Sequence, residues 1–261
     1  MDRSFLSQPF IISRQQFKNN FLLENCIDLK AAYIYYGFDT DLKFFEYDNQ
    51  RIYVIGYILD IRDSALSQEE IFKKLLVNFG KSSTEFYDEL QYMNGRYTII
   101  IDNDENTYVY TDATGMRPLY YWNNEIISSH EILLREGLND ARGLELSVRP
   151  FKMKNFLDYT NTKDIYKFSP NMYFDFGESS FMRFYPNGKF KNQTMETVIK
   201  NTEDYFLTQV QWLNNNYEVI YQSITGGFDA KLSLALTKPI LEKIKFSLIC
   251  IDLIKERNIK S

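Results

Sequence analysis

The chain has 261 residues, of which 44% are hydrophobic and 25% are charged, a composition typical of a folded globular protein. Its formal net charge of -5 argues against a non-specific nucleic-acid binder, because such a protein needs a basic surface to displace counterions from phosphates. The 20 Tyr and 21 Phe residues favour β structure, since flat rings pack well on a pleated, half-buried surface.

The sequence shows no pattern for export or membrane insertion. The apolar run Phe10–Ile12 is too short for a signal peptide, and no run approaches the roughly 20 apolar residues of a membrane span. The two cysteines, Cys26 and Cys250, lie far apart without a Cys or His at metal-binding spacing, so neither a disulfide framework nor a zinc site is expected. We expect a cytoplasmic protein with no membrane partner.

The first half of the chain predicts strands with two helices among them. Ser67 to Glu70 has the pattern of a capping box, and apolar residues then recur on one face up to Gly80, which predicts a helix. A shorter helix is expected from Ser82 to Tyr92. Aromatic and β-branched runs, the last four arranged as two hairpins, predict these strands: Phe10–Ser13, Ala31–Tyr36, Leu42–Tyr47, Tyr53–Leu59, Arg96–Asp102, Thr107–Thr111, Leu119–Trp122 and Glu125–Ser128. The arrangement indicates α+β layers.

After about residue 190 the pattern changes. Apolar residues at helical spacing from Asn192 to Asn216 predict an amphipathic helix at a domain junction. A strand at Glu218–Gln222, a helix at Asp229–Leu236 and a strand at Ile244–Ile251 follow. This order predicts a βαβ unit with parallel strands.

The segment between that strand and that helix is suited to binding phosphate. Gly226 and Gly227 let the backbone bend around an anion at a helix N-terminus, where N–H groups point outward. Ser223 and Thr225 add hydroxyl donors, and Asp229 can hold Mg²⁺, which neutralises a polyphosphate. The alternative is an ordinary strand-to-helix turn in which Asp229 caps the helix.

Several segments, in order along the chain, resemble motifs of the asparagine synthetase family. Thr225–Asp229 is similar to the family's pyrophosphate loop Ser-Gly-Gly-x-Asp-Ser, except that Thr225 replaces the first Ser and Ala230 replaces the last, which removes one phosphate donor. Three upstream segments resemble the class II glutamine amidotransferase domain, and two more resemble the connection to the synthetase domain: Asn94–Tyr97, Thr111–Tyr121, Ser129–Glu131, Lys167–Tyr173 and Arg183–Pro186.

The resemblance implies two domains. Residues 1–190 would form a class II glutamine amidotransferase-like domain, a layered αββα sandwich of the Ntn-hydrolase type. Residues 191–261 would form the N-terminal part of an α/β, parallel-sheet ATP-pyrophosphatase domain, which we expect to be truncated because the chain stops at Ser261. Small parallel sheets with bare edges are rarely stable unaided, so we expect a partner segment to cover this one.

The resemblance also implies that glutaminase chemistry is absent. A class II amidotransferase uses an N-terminal Cys as its nucleophile, whereas this chain begins Met1-Asp2, and neither of its cysteines has a free α-amine. The family's Asn-Gly pair at the oxyanion hole matches Ile55-Gly56, and an Ile side chain donates no hydrogen bond. Gly56 would therefore be vestigial, together with Asp112, which matches an Asp that helps to hold glutamine in the family.

For activity, the resemblance implies an ATP-dependent amide-forming ligase, in which a carboxylate substrate of unknown identity is adenylated and an amine then opens the acyl-adenylate. ATP and Mg²⁺ would bind at Asp229 and the other residues of the predicted phosphate loop: Ser223, Thr225, Gly226 and Gly227. The alternative is a catalytically inactive fragment or binding module that pairs with a separate C-terminal synthetase fragment or with a second copy of the chain.

Other residues can be interpreted either as catalytic or ligand-binding residues or as structural residues. His130, the only His, would need an acid and a serine to converge on it, which strand neighbours do not do because they point to opposite faces. Arg117 is either a substrate clamp or a structural partner of Asp112 or Glu131. Four loosely paired acids are either Ca²⁺ ligands or, as the missing Ca²⁺-loop spacing favours, solvated turn residues: Asp39, Asp41, Asp102 and Asp104.

Overall fold

The structure is a computed structural model that describes residues 6–17, 23–150, 157–186, 188 and 192–248. The chain divides into two compact units, one formed by Met1–Asp60 and Leu66–Lys191 and the other by Ile61–Ala65 and Asn192–Ser261. Each unit has a hydrophobic core of its own.

The first unit contains two six-stranded sheets, and every pair of neighbouring strands in them is antiparallel. Numbered in chain order and given in spatial order, the strands of the first sheet are β10 (Ile165–Lys167), β8 (Tyr120–Trp122), β9 (Ile126–Ser128), β1 (Phe10–Ser13), β3 (Tyr33–Tyr36) and β2 (Asn25–Asp28). Those of the second sheet are β12 (Ser180–Arg183), β11 (Met172–Asp175), β7 (Thr107–Thr111), β6 (Met93–Asp102), β5 (Gln50–Asp60) and β4 (Leu42–Tyr47).

Helices cover the outer faces of both sheets. One core cluster joins residues of the two sheets, such as Ile12 and Ile34 from the first and Ile55 and Ile100 from the second. The other face of the second sheet packs against α1 (Gln68–Lys81) and α2 (Ser83–Leu90), and the other face of the first sheet packs against α3 (Glu131–Arg142). The first unit is therefore a four-layer α–β–β–α sandwich, as the predicted layering required.

The capping box predicted at the start of α1 is present. The Ser67 hydroxyl accepts a hydrogen bond from the Glu70 N–H at 3.3 Å, and the Glu70 carboxylate accepts one from the Ser67 N–H at 2.8 Å. These bonds pair two N–H groups that a helix start otherwise leaves open. Gly80 does not end the helix as predicted, because α1 continues to Lys81 before Ser82 takes the C-cap position.

Sequence analysis did not predict β2, α3, β10, β11 or β12. The missed helix α3 buries three leucines against the first sheet, Leu133, Leu134 and Leu138. It ends at Gly143, whose φ of 63° lies in the left-handed region that glycine adopts without strain. The missed strands are short and extend the edges of the two sheets.

The second unit contains the predicted βαβ arrangement. It consists of α4 (Met195–Asn216), β13 (Ile220–Ile224), α5 (Phe228–Leu236), a 3-10 helix (Lys238–Lys243) and β14 (Ile244–Leu248). Strands β13 and β14 pair in parallel, from Ile220 opposite Ile244 to Ile224 opposite Leu248. Residues 249–251 of the second predicted strand lie outside the described residues. The buried core is small, consisting of Val210, Ile240 and Ile244 with partly buried neighbours.

In the part of the chain that the structure describes, no helix combines the length and the apolar composition needed to cross a membrane.

Candidate functional site

The predicted phosphate loop lies at the carboxyl end of β13, directly before α5. Ser223 is the last residue but one of the strand, and Asp229 is the second residue of the helix. These two residues are exposed to solvent, as are Thr225, Gly226 and Gly227 between them. In open parallel sheets, ligands bind outside the carboxyl ends of the strands, so the structure brings all five residues to the end of the sheet where a ligand is expected.

The loop leaves the first turn of α5 open to an anion. Gly227 takes the N-cap position, and no side chain makes a capping hydrogen bond there. The Gly227 N–H donates to the Thr225 hydroxyl at 3.3 Å. The alternative in which Asp229 caps the helix is wrong, because Asp229 lies within the first turn. Unpaired N–H groups at a helix N-terminus can bind phosphate oxygens.

A side chain at Gly226 would meet no described atom within 4 Å, and neither Gly226 nor Gly227 is among the glycines with positive φ. Local packing therefore does not require glycine at residue 226. The open space beside Gly226 can instead accommodate a ligand.

Two charged side chains stand beside the loop. Among the described residues, no group of three His, Cys, Asp or Glu side chains has the arrangement of a metal site, so Asp229 would hold Mg²⁺ only together with phosphate oxygens or water. Lys231, which sequence reasoning missed, places its Nζ 5.7 Å from the centre of the Phe228 ring. The sequence indicates this contact by the three-residue spacing of Phe228 and Lys231, which places two side chains on one face of a helix.

In the first unit, the matched pair Ile55-Gly56 offers no oxyanion donor. The Ile55 side chain is fully buried between the two sheets. The Gly56 N–H donates to the Asp41 carbonyl at 3.2 Å, so it is already used. Gly56 has a φ of 101°, and a Cβ there would lie 2.2 Å from the Arg96 carbonyl oxygen, so close approach of the backbones explains this glycine.

Asp112 organises a tight turn. Its carboxylate accepts hydrogen bonds from the N–H groups of Thr114, Met116 and Arg117 at 3.1, 2.8 and 2.8 Å. The Thr114 hydroxyl donates a fourth bond at 3.0 Å. With its oxygens engaged by this turn and the side chain buried, Asp112 has the contacts of a structural Asx-type residue.

Arg117 contacts neither of its expected acidic partners through its guanidinium. Asp112 binds the Arg117 backbone, and Glu131 accepts a hydrogen bond from the Thr162 hydroxyl at 2.6 Å. The guanidinium Nη2 instead donates to the side-chain oxygen of Gln8. Burial, and then the nearby positive charge of Arg96, lower the pKa of Arg117. The structural pairing expected from sequence is therefore wrong, and a half-buried cation remains at the start of β1.

His130 makes a contact that sequence analysis excluded. Because β9 ends at Ser128, Ser129 is not a strand residue, and its hydroxyl lies 2.8 Å from Nδ1 of His130. The same hydroxyl accepts a hydrogen bond from the Phe10 N–H at 2.9 Å. No carboxylate of the described residues hydrogen-bonds to His130, so the acid of a catalytic relay is missing. Burial, followed by the charge of Arg117, lowers the pKa of His130 and keeps the ring neutral.

Cys26 is an exposed free thiol on the edge strand β2. Partial desolvation of the thiol raises its pKa, and the negative charge of Asp28 raises the pKa further. Cys26 is therefore not an activated nucleophile. Cys250 lies outside the described residues.

Three of the four acidic residues considered as Ca²⁺ ligands bind other groups of the protein. Asp102 is buried and binds Arg51, Thr107 and the Lys30 N–H. Asp39 accepts a hydrogen bond from the Gln8 N–H at 3.1 Å, and Asp41 pairs with Lys43 at 2.5 Å. The described residues contain no acidic cluster of metal-site type.

Comparisons with known proteins find similarity only to solved structures. No family model matches the chain, and no curated protein sequence matches it. Among solved structures, the allosteric regulatory enzyme of purine biosynthesis is similar at 11% identity and a TM-score of 0.40, over 98% of this chain and 62% of the other. Glutamine phosphoribosylpyrophosphate amidotransferase from B. subtilis, complexed with ADP and GMP, is similar at 10% identity and a TM-score of 0.38, over 98% of this chain and 63% of the other.

The chain thus spans 62% and 63% of the lengths of these two structures.

Proposed function

We propose that the chain is part of an asparagine synthetase-like, ATP-dependent amide-forming ligase without glutaminase activity. The observation that carries this proposal is the exposed Thr225–Asp229 turn at the carboxyl end of β13, within a parallel βαβ unit. Neither the turn's packing nor a cap requires its glycines. Because the turn resembles a pyrophosphate loop in sequence, we infer that its ligand is the pyrophosphate part of ATP.

In the proposed reaction, a substrate carboxylate attacks the α-phosphate of ATP, pyrophosphate leaves, and an amine then opens the acyl-adenylate. The N–H groups of the first turn of α5 and the Thr225 hydroxyl would hold the pyrophosphate oxygens. Mg²⁺, when bound with Asp229, would offset the charge on the phosphates. The carboxylate substrate would bind outside the residues described.

The first unit supports the absence of glutaminase activity. Its two-sheet sandwich is compatible with an amidotransferase-type, Ntn-hydrolase-like domain. However, Ile55 is buried and Gly56 uses its N–H internally, so neither donates to an oxyanion. Cys26 has a raised thiol pKa and is no substitute for an activated N-terminal thiol.

The test is titration of the intact chain with ATP and with pyrophosphate, each with and without Mg²⁺, by calorimetry. We expect Mg²⁺-dependent binding that weakens about tenfold in Gly226→Ala, because the added methyl group occupies the open side of the loop, and in Asp229→Ala. Asp204→Ala is the matched control, since Asp204 is an exposed acid on α4. Unchanged affinity in both loop variants, or no binding by the chain, contradicts the proposal.

The second candidate is a catalytically inactive module that pairs with a synthetase fragment or with a second copy of the chain. The observation in its favour is the exposed apolar surface of the second unit. Helix α5 contains no buried residue, and the exposed fractions are 88% for Phe228, 75% for Tyr221 and 57% for Leu232. Exposed apolar surface of this kind marks a site of contact with another chain or segment.

This candidate predicts a defined oligomer or a stoichiometric complex. Analytical ultracentrifugation of the chain alone tests self-association, and co-expression with a synthetase C-terminal segment tests pairing. Leu232→Ser should weaken either complex, whereas Lys200→Ser on the exposed face of α4 should not. A monomer that captures no synthetase segment and still binds ATP favours the first candidate.

A further inference from the structure

The guanidinium of Arg117 forms no ion pair with a described residue, although the charges of Asp112 and Asp41 lie near enough to raise its pKa. Its Nε is covered from solvent and has no hydrogen-bond acceptor. The positive charge is half-buried, and burial lowers its pKa. A charge removed from water is costly unless an opposite charge or strong acceptors replace the water, so this site is incomplete as it stands.

The bond that the guanidinium does make is to a neutral group. Nη2 donates to the carboxamide oxygen of Gln8, and the adjacent Nε finds no acceptor. Nε and Nη2 form one edge of the guanidinium, which matches the two oxygens of a carboxylate. A carboxamide offers a single oxygen to that edge, so Gln8 fills half of it.

Gln8 is held at this edge by strained backbone. Its φ is 51°, in the left-handed region that a residue with a side chain rarely adopts, and its N–H donates to Asp39 at 3.1 Å. Such a conformation is unfavourable for a residue that carries a Cβ atom. A residue whose backbone is strained and whose side chain gives only one oxygen is a weak competitor for a guanidinium.

The surrounding charges favour a monoanion. Arg96 raises the local positive potential, and His130 is neutral near pH 7 because its pKa is lowered. Asp39 faces the same region, whereas the charge of Asp41 is paired with Lys43. The carboxylate of Asp112 also lies near the Arg117 guanidinium and raises its pKa. At most about one positive charge therefore remains to be neutralised, which suits a carboxylate better than a phosphate dianion.

We propose that Arg117 is the anchor of a binding site for a small monocarboxylate, which displaces the Gln8 side chain from the guanidinium. Gln8 is then a self-ligand that covers the site when it is free. The proposal does not depend on the phosphate loop, because all its residues belong to the first unit.

The experiment is a titration of the intact chain with acetate and propionate at constant ionic strength, with chloride and inorganic phosphate as comparison anions, followed by NMR or calorimetry. We expect saturable carboxylate binding that is tightened severalfold by Gln8→Ala, because the competitor is removed. Arg117→Gln should weaken it by tenfold or more, since a charge-assisted pair is lost. Arg183→Gln, which changes an exposed arginine on β12, is the matched control.

Each variant has a separate consequence. If Arg117→Gln unfolds, as circular dichroism would show, Gln8→Ala still tests the site on a folded chain. No saturable binding by the wild type and Gln8→Ala overturns the proposal. Equal affinity in the wild type and Gln8→Ala overturns the self-ligand role, and tighter binding of phosphate than of carboxylate overturns the assigned ligand class.

Discussion

Replacing Gly56 with Ala should destabilise the first unit severely. Gly56 sits in the middle of β5, opposite Tyr97 of β6, with a φ of 101°. An added Cβ would lie 2.2 Å from the Arg96 carbonyl oxygen and 3.1 Å from Arg117 Nε. The first of these contacts is with backbone, so it cannot be relieved by turning a side chain.

The size of the effect follows from two costs. Holding Ala at this φ costs about 1–3 kcal/mol, and moving two paired strands apart to fit the methyl group costs about 1–3 kcal/mol more. The sum of about 2–6 kcal/mol is a large part of the total stability of a typical domain, roughly 5–15 kcal/mol. With a urea m-value of about 2–3 kcal/mol/M, the unfolding midpoint should fall by about 0.7–3 M.

Urea unfolding followed by tryptophan fluorescence measures this effect. Trp122 lies in the first unit and Trp212 in the second, so a Trp212→Phe background reports the first unit alone. Gly80→Ala is the control, because its new Cβ meets only the movable side-chain end of Gln50, at 2.8 Å, within helix α1. We expect that control to change stability by about 1 kcal/mol or less. A midpoint for Gly56→Ala within error of the background would refute the reasoning.

Three further changes should alter stability for different reasons. Ser67→Ala removes the N-cap of α1 and should cost about 1 kcal/mol in urea unfolding. Asp102→Ala should cost about 3–5 kcal/mol, because it leaves the buried Thr107 hydroxyl and the Arg51 guanidinium without their acceptor. His130 has a folded pKa below its unfolded value of 6.5, so the unfolded state binds its proton more readily. The stabilising contribution of neutral His130 is present above pH 6.5 and is lost as the pH falls through the folded pKa. Between pH 7 and pH 5, His130→Gln should therefore lose less unfolding free energy than the wild type.

Each of these predictions has its own check. Ser67→Thr, which keeps the hydroxyl, should retain most of the stability lost in Ser67→Ala. Asp102→Asn should fall between the wild type and Asp102→Ala, because the carboxamide keeps an acceptor for Thr107. Equal pH dependence in the wild type and His130→Gln would show that the imidazole environment is not what the structure indicates.

Local sequence signals predicted the elements whose causes are local. The start of α1 follows from a capping box within four residues, and the hairpin of β6 and β7 follows from a polar turn between two β-rich runs. Helix α3 also has a local signal, in the helical spacing of Leu134 and Leu138 and in the terminating Gly143. The edge positions of β10 and β11 depend on pairing with distant strands, which local pattern does not specify.

The candidate sites divide in the same way. The predicted phosphate loop is a continuous segment, so the sequence alone indicates its composition and its position between a strand and a helix. The Arg117 site joins that residue to Gln8, which is 109 residues away, and to His130 and Asp39 from other parts of the fold. Only the folding of the first sheet brings these side chains together, so sequence suggested an acidic partner for Arg117 where the structure has a carboxamide.

The central position of β1 in the first sheet has a consequence for synthesis on the ribosome. One edge of β1 pairs with the nearby β3, but Ile11 on its other edge pairs with Ser128 of β9. At roughly 5–20 residues per second, on the order of ten seconds pass between the synthesis of these two strands. During that interval β1 has an open edge that can pair with another nascent chain. Slow translation across residues 14–125 should therefore increase aggregation of this protein during its synthesis.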